Sequence, residues 1–338
     1  MRALACPDSL KGTLSAAEAA AALASGLRRA GLDADELPLA DGGEGTAEAL
    51  HAALGGVWRT ARVADPLGRS VQARFLLLPD GRAVVESAEA IGLGRLKAEE
   101  RDPMRASSRG LGELVAAALA AGARELVVAL GGSATVDGGA GLREVLEELP
   151  VPTTAACDVA NPLLGPRGAA RVFGPQKGAD PEQVEELEHR LATMPELSPV
   201  ADLPGAGAAG GLGAALAALG ARLVPGIELV LDAVGFRDRL GAVQLVVTAE
   251  GRVDASSAEG KVPAGVAAAC ASVGVPCVVV GGVVEPEAIA ALHRVGAAAV
   301  LRLSGEPNRA REDLAEAGEN VGRLTGGIAG NVCHNQRK

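Results

Sequence analysis

The stretch LADGGEGTAEAL, from Leu39 to Leu50, sets Asp41 and Glu44 among glycines just ahead of a run that resumes helix-forming composition at Thr46. Glycine disfavours a helix interior, yet it lets backbone approach a ligand closely. Two readings are open for such a loop. It is either an acidic turn whose carboxylates cap or offset the helix that follows, or a loop whose carboxylates hold a metal or a substrate hydroxyl. Further clusters recur along the chain: Asp8, Ser9 and Lys11; Ser133, Thr135 and Asp137 behind Gly131 and Gly132; Asp158 and Asn161; Gln176 and Lys177; and Glu250, Arg252, Asp254 and Lys261. Glycine-rich turns suit backbone cradles for phosphate. Carboxylates are hard ligands for Mg²⁺, and lysine neutralises phosphoryl oxygens. Together the clusters point to phosphoryl transfer or, at the least, to binding of a phosphate ligand.

The elements between them place these clusters at strand ends. RALAC from Arg2 reads as a short buried strand. SAAEAAAALASGLRRAG is a helix opened by a capping box, Ser15 with Glu18, and stopped by Gly31. ADELPLA is a strand that runs into the acidic loop, and a helix spans about Thr46 to Leu54. This alternation predicts a parallel α/β layer. From Arg59 to about Gly94 short alternating segments and the turn Pro79-Asp80-Gly81 predict antiparallel strands. Helix and parallel-strand patterns return before Gly131. Asp180 is an N-cap with Pro181 behind it. LVVTAEGRVD, PCVVVGG and GAAAVLRL are strands, and a last helix covers roughly Arg309 to Leu324. In open α/β sheets ligands sit beyond the carboxyl ends of strands, where these polar clusters fall.

Composition excludes several classes. Of the 338 residues 48% are hydrophobic and 22% charged, as in a folded domain protein. Aromatic residues are 1%, so the core is built from Ala, Leu and Val. A net charge of −10 argues against nucleic acid or an anionic membrane as partner. The five cysteines form no CxxC pair, which fits a reducing cytoplasm rather than a disulfide framework or zinc site. The charge-poor runs from Leu203 and Val262 carry too much Gly and Pro for membrane spans. GAGAAG, Gly205–Gly210, matches G-x-G-x-x-G but lacks the preceding strand of a dinucleotide fold. Walker A, HExxH and G-x-S-x-G patterns are missing.

The same clusters resemble the glycerate kinase family, over nearly the whole chain. The motifs are PDSLKGTLSA from Pro7, PLADGGEGTA from Pro38, GGSATVDGGAG from Gly131, CDVANPLLG from Cys157, FGPQKGA from Phe173, PGAGAAGGLG from Pro204, and EGRVD with GKVPAGV from Glu250. The resemblance implies ATP- and Mg²⁺-dependent phosphorylation of D-glycerate, most often to 2-phosphoglycerate. It implies a two-domain α/β fold, one domain flavodoxin-like and one restriction-endonuclease-like, with the chain crossing between them. The flavodoxin-like domain is expected at 1–58, about 95–150 and 260–338, and the second at about 59–94 and 155–259. The family usually has Asn where Val136 stands and Gly where Ala249 stands, positions where an amide contact is lost and a methyl is added. It has Gln-Thr near Ser256-Ser257, Tyr at Arg109, and a longer segment between Leu142 and Ala156.

Residue roles follow as expectations. Asp41 accepts the proton of the acceptor hydroxyl, with Lys11, Asp8 and Lys177 completing the catalytic set. Lys11, Arg105, Glu44, Asp158 and Lys177 bind the anionic acceptor. Gly131, Gly132, Ser133, Thr135, Asp137, Glu250, Asp254 and Lys261 bind nucleotide phosphates, and Asp137 and Asp254 hold the metal. The expected enzyme is a cytoplasmic monomer or homodimer with D-glycerate as its small-molecule partner. A kinase for another hydroxy acid and a non-catalytic nucleotide or carboxylate sensor are the alternatives.

Overall fold

The computed structural model describes residues 1–258, 260–304 and 306–335. In chain order its strands are β1 (Arg2–Ala5), β2 (Asp33–Glu36), β3 (Val57–Ala64), β4 (Ser70–Leu77), β5 (Arg82–Glu86), β6 (Glu125–Leu130), β7 (Thr153–Cys157), β8 (Arg222–Pro225), β9 (Leu245–Val253), β10 (Cys277–Val284) and β11 (Ala299–Arg302). They form two sheets, one in each of two compact α/β units. The chain leaves the first unit after Asp41, returns for Glu48–Ala53, and rejoins it for good at Val230. The second unit holds Gly42–Ala47 and Leu54–Leu229.

The first unit carries a wholly parallel sheet in the order β11-β10-β9-β1-β2. Numbered within the unit this is the flavodoxin-like order 2-1-3-4-5, whose direction reverses between its first and third strands. That reversal falls between β1 and β9. The helix Ala16–Arg29 opens with the expected capping box: Ser15 Oγ accepts from the Glu18 amide at 3.2 Å, and Glu18 returns the bond to the Ser15 amide at 3.0 Å. Its buried face, Ala19, Leu23 and Leu27, packs with Val247, Val280 and Leu314 into an aliphatic core.

The second unit's sheet runs β3-β4-β5-β6-β7-β8. β3, β4 and β5 pair antiparallel, as their alternating sequence predicts, and β5 to β8 pair parallel. Phe75, Val85, Leu111, Leu114 and Val128 are among its buried residues.

Two segments lie elsewhere than the sequence placed them. The stretch 95–150 supplies β6, which is hydrogen-bonded to β5 and β7 and so belongs to the second unit. The stretch from Val230 to 259 supplies β9, the neighbour of β1, and so belongs to the first. Hydrophobic period identified these strands but carries no information about which edge each one joins. The short connection after Leu142 leaves the sheet intact: β6 and β7 pair without a break from Leu126↔Thr153 to Leu130↔Cys157.

GAGAAG is a packing device. Ala209, Gly210 and Gly211 all have positive φ, and a Cβ on Gly210 would lie 1.9 Å from the Thr135 carbonyl oxygen. Gly210→Ala therefore combines backbone strain with overpacking and is expected to cost roughly 3 kcal/mol. Urea unfolding of the purified variant checks this, and a loss below about 0.5 kcal/mol, an ordinary surface value, would contradict it.

Candidate functional site

Two neighbouring strands of the first unit, β1 and β2, deliver carboxylates past their C-terminal ends, and β9 beside them carries Glu250 within its C-terminal half. Beyond β1, the Cys6 amide donates to the Val247 carbonyl at 2.8 Å and the Asp8 amide to the Ala249 carbonyl at 2.9 Å. Asp8 is thereby fixed beside the end of β9, which carries Glu250. Beyond β2, the Leu39 amide donates to the Pro7 carbonyl at 2.9 Å, and the chain delivers Asp41 two residues later. Asp8 and Asp41 are both buried.

Electrostatics couple these groups. The Asp8 carboxyl is raised to about 8, first by burial and then by Asp41, with Glu250 adding to it; the Ser9 amide and Lys11 pull the other way. Glu250 is raised by burial against the opposing Lys261 and Ser257. Its carboxylate accepts from Ser257 Oγ at 2.7 Å and from Lys261 Nζ at 3.3 Å. For Lys261, burial works to lower the pKa but is outweighed by Glu250 and Asp254, so the ammonium is held. Lys11 is exposed and acts on Asp8 through its field.

In the second unit the acidic loop and the Gly131 loop pack backbone against backbone. A Cβ on Gly131 would lie 2.7 Å from Gly43 Cα, and one on Gly42 would lie 2.4 Å from Gly226 Cα. Gly42 is required by its positive φ as well as by contact, and Gly131 by contact. The end of β5 staples both loops. Glu86 accepts from the Ala47 amide at 2.7 Å and the Gly45 amide at 3.3 Å, so the helix Thr46–Leu54 is capped by a residue distant in sequence. Ser87 Oγ donates to the Gly131 carbonyl at 2.9 Å and accepts from its amide at 3.2 Å. Gly131, Gly132, Ser133 and Thr135 follow β6, and Glu44 stands exposed beside Gly132.

Lys177 is buried behind this loop, with Nζ donating to Ser133 Oγ at 3.0 Å and to the Thr135 carbonyl at 2.8 Å. Burial lowers its pKa to about 7, against the field of Asp137.

Asp137 is engaged by neighbouring donors. Its Oδ2 accepts from the Ser108 amide (2.8 Å), Ser108 Oγ (2.7 Å) and the Gly141 amide (3.2 Å), and its Oδ1 accepts from the Gly139 amide (3.1 Å). Four bonds occupy the acceptor capacity of a carboxylate. Asp137 thus organises the loop after β6. Asp158 is half-buried at the end of β7, where burial and its charge push the Cys157 thiol up to about 11. Arg105 is exposed, and among the described residues no hydrogen bond or ion pair ties its guanidinium to either cluster.

The structure therefore gathers Asp8, Asp41, Glu250, Asp254 and Lys261 in one unit, and Ser133, Thr135 and Lys177 in the other. Glu86, Ser87 and Ser108 escaped the sequence reading. For the first two a signal existed: a polar Glu-Ser pair closes the apolar run AVV at a predicted strand end, the rule that located the other clusters.

Comparison with known proteins fits this layout. The glycerate kinase family model matches residues 3–149 and 146–332. The chain belongs to the glycerate kinase family. Membership makes it a phosphotransferase with an alcohol group as acceptor. A protein named glycerate 2-kinase from Escherichia coli K12 is 38% identical, covering 100% of this chain and 99% of its own. A glycerate kinase from Bacillus subtilis strain 168 is 40% identical over 83% of this chain and 85% of its own. A crystal structure of a protein from Salmonella typhimurium LT2, provisionally named glycerate kinase 2, superposes with a TM-score of 0.83 at 36% identity, covering 97% of this chain and 99% of that one.

Two of the departures from the glycerate kinase pattern prove to be core positions. Val136 packs with Leu163, Leu187 and Leu191, and Ala249 with Ala5 and Val247. Their side chains fill aliphatic clusters rather than face a ligand. Ser257, where the family usually has the Gln-Thr pair, supplies the hydroxyl that holds Glu250.

Proposed function

We propose that the chain phosphorylates D-glycerate with ATP and Mg²⁺, giving 2-phosphoglycerate and ADP. The observation that carries this reading is the convergence of Asp8 and Asp41, beyond the ends of β1 and β2, with Glu250 of β9, at the topological switch of a chain that matches a glycerate 2-kinase end to end. The C2 hydroxyl oxygen forms a bond to the γ-phosphorus as the bridging oxygen to ADP leaves, and the hydroxyl proton passes to Asp41. Lys261 is held charged by Glu250 and Asp254 and stabilises anionic oxygens. Lys177 and the Gly131–Thr135 loop supply donors for a carboxylate or phosphate.

Among the described residues no three metal-ligating side chains converge. Mg²⁺ commonly needs only one or two carboxylates beside the phosphates of its nucleotide, so hard oxygen donors suffice. With Asp137 engaged elsewhere, Asp254 is the carboxylate assigned to hold it. When bound, the ion neutralises charge on the transferring group.

In this reading the enzyme works in the cytoplasm as a monomer or homodimer. Cys6, Cys157, Cys270 and Cys277 are free thiols, and no helix among the described residues is long and apolar enough to cross a membrane.

An ADP-release assay with ATP, Mg²⁺ and D-glycerate is expected to show acceptor-dependent turnover, and phosphorus NMR to show phosphate on the C2 oxygen. Turnover no higher than with ATP alone would reject the reading. Faster turnover with another hydroxy acid would move the substrate but keep the class.

A further inference from the structure

Lys177 is an unusual amine. Its side chain is 4% exposed, and its Nζ meets only two neutral acceptors, the Ser133 hydroxyl and the Thr135 carbonyl. No carboxylate lies within ion-pair distance of it among the described residues. Asp137, on the loop after β6, is the charged group whose field bears on it, and that carboxylate is held by Ser108, Gly139 and Gly141. An ammonium has three donors, so one N–H of Lys177 has no acceptor. The residue whose carbonyl accepts from Lys177 carries a second unmet group: Thr135 Oγ1 is buried and has no hydrogen-bond partner. Buried polar groups are rarely left so. Here a surplus donor from Lys177 meets the glycine loop at the carboxyl end of β6, and the orphaned hydroxyl belongs to that loop, where open α/β sheets receive ligands.

We propose that Lys177, Thr135 and Ser133 form an oxyanion subsite that takes up a proton as it fills. The proposal rests on the kinase reading for the identity of the natural anion, a carboxylate of the acceptor or a phosphate of the nucleotide, but not for the existence of the site. The empty subsite leaves an amine buried without a counter-charge, and burial without a partner favours its neutral form. With burial lowering its pKa to about 7, the empty amine is mostly unprotonated at pH 8. An oxyanion against Nζ reverses this by favouring the ammonium, so binding draws one proton from solvent. The linkage has a definite sign. At pH 6 the amine is already charged and uptake is small. At pH 8 uptake approaches one proton per site, and affinity for the anion falls as pH rises through the interval between.

Titration calorimetry in buffers of different ionisation enthalpy reads the proton count directly. Two arms separate the sources of the anion: D-glycerate alone and inorganic phosphate alone, each at pH 6 and pH 8. The expected result is near-zero uptake at pH 6 and roughly one proton at pH 8, in whichever arm binds. Lys177→Met should abolish the pH 8 uptake and weaken binding at least about tenfold. Lys177→Arg, which stays charged, should bind without uptake. This pair also separates Lys177 from Asp8, whose titration both variants leave in place. Binding with no proton uptake at pH 8, or uptake that survives in both variants, would overturn the proposal, as would the absence of binding in both arms. Phosphate binding with uptake, beside silence from D-glycerate, would uphold the subsite and assign it to a phosphate rather than to the acceptor's carboxylate.

Discussion

Asp41→Asn is expected to lower kcat for D-glycerate phosphorylation at least about 100-fold, the scale of a lost general base. The KM for ATP and the thermal midpoint should stay within about twofold and a few degrees of the parent. Asn keeps the size and one acceptor oxygen of Asp but cannot take the hydroxyl proton. The rival reading was a helix cap, for which the loss would be about 1 kcal/mol of stability. The structure separates the two roles, because the Gly45 and Ala47 amides at the start of that helix donate to Glu86. The comparison is therefore between two variants. Glu86→Ala should lose the cap and show its effect in Tm, whereas Asp41→Asn should show its effect in kcat. A near-normal kcat for Asp41→Asn with a lowered Tm would return Asp41 to a structural role.

The legible part of this molecule was whatever depends on neighbours in sequence. The Ser15–Glu18 capping box, the Asp180 cap and the helix at Thr46 are local rules, and each is realised. So is the antiparallel character of β3 to β5, because alternation and the turn at Asp80-Gly81 are visible within a single window. Domain membership was not legible in this way. β9 lies next to β1 although more than two hundred residues separate them, and nothing in either strand's period names its partner.

The candidate site divides along the same line. Polar residues at strand ends were found because each follows an apolar run. Their partners were not, because Glu86 reaches Ala47 and Ser108 reaches Asp137 through space. Asp137 shows the cost of reading residue type without acceptor count. As a carboxylate behind a glycine loop it matched a metal ligand, and only its four donors reveal its task. Val136 and Ala249 carry the complementary lesson: differences within a motif gain meaning only from the direction in which the side chain packs.

Asp8→Asn is expected to stabilise the protein at alkaline pH, in the absence of divalent cation, and to do little in acid. The folded Asp8 carboxyl holds its proton to about pH 8, through burial first and Asp41 second, whereas an unfolded Asp loses it near 3.9. A raised folded pKa favours the folded state fully below the unfolded value. That contribution fades as pH rises and is gone once pH passes the folded value. Between about pH 4 and pH 8 the parent therefore gives up stability through this group. The full shift would correspond to about 6 kcal/mol at 1.36 kcal/mol per unit, and relaxation around the buried carboxylate brings the expected gain to a few kcal/mol. Asn has no proton to lose, and its Oδ1 can still accept from the Ser9 amide, which donates at 2.6 Å in the parent. Thermal unfolding of both proteins in chelator at pH 5 and pH 9 is the measurement. The variant should exceed the parent by several degrees at pH 9 and draw close to it at pH 5, while its turnover falls. A gap that is constant across pH would show that Asp8 does not carry this proton. A variant less stable at pH 9 would show that its carboxylate is stabilised by partners that the buried cluster does not contain. The sign of the expected gap follows from burying the Asp8 carboxyl beyond β1 and setting the like charges of Asp41 and Glu250 near it, an arrangement that costs the fold stability and that a phosphate-transferring site has reason to keep.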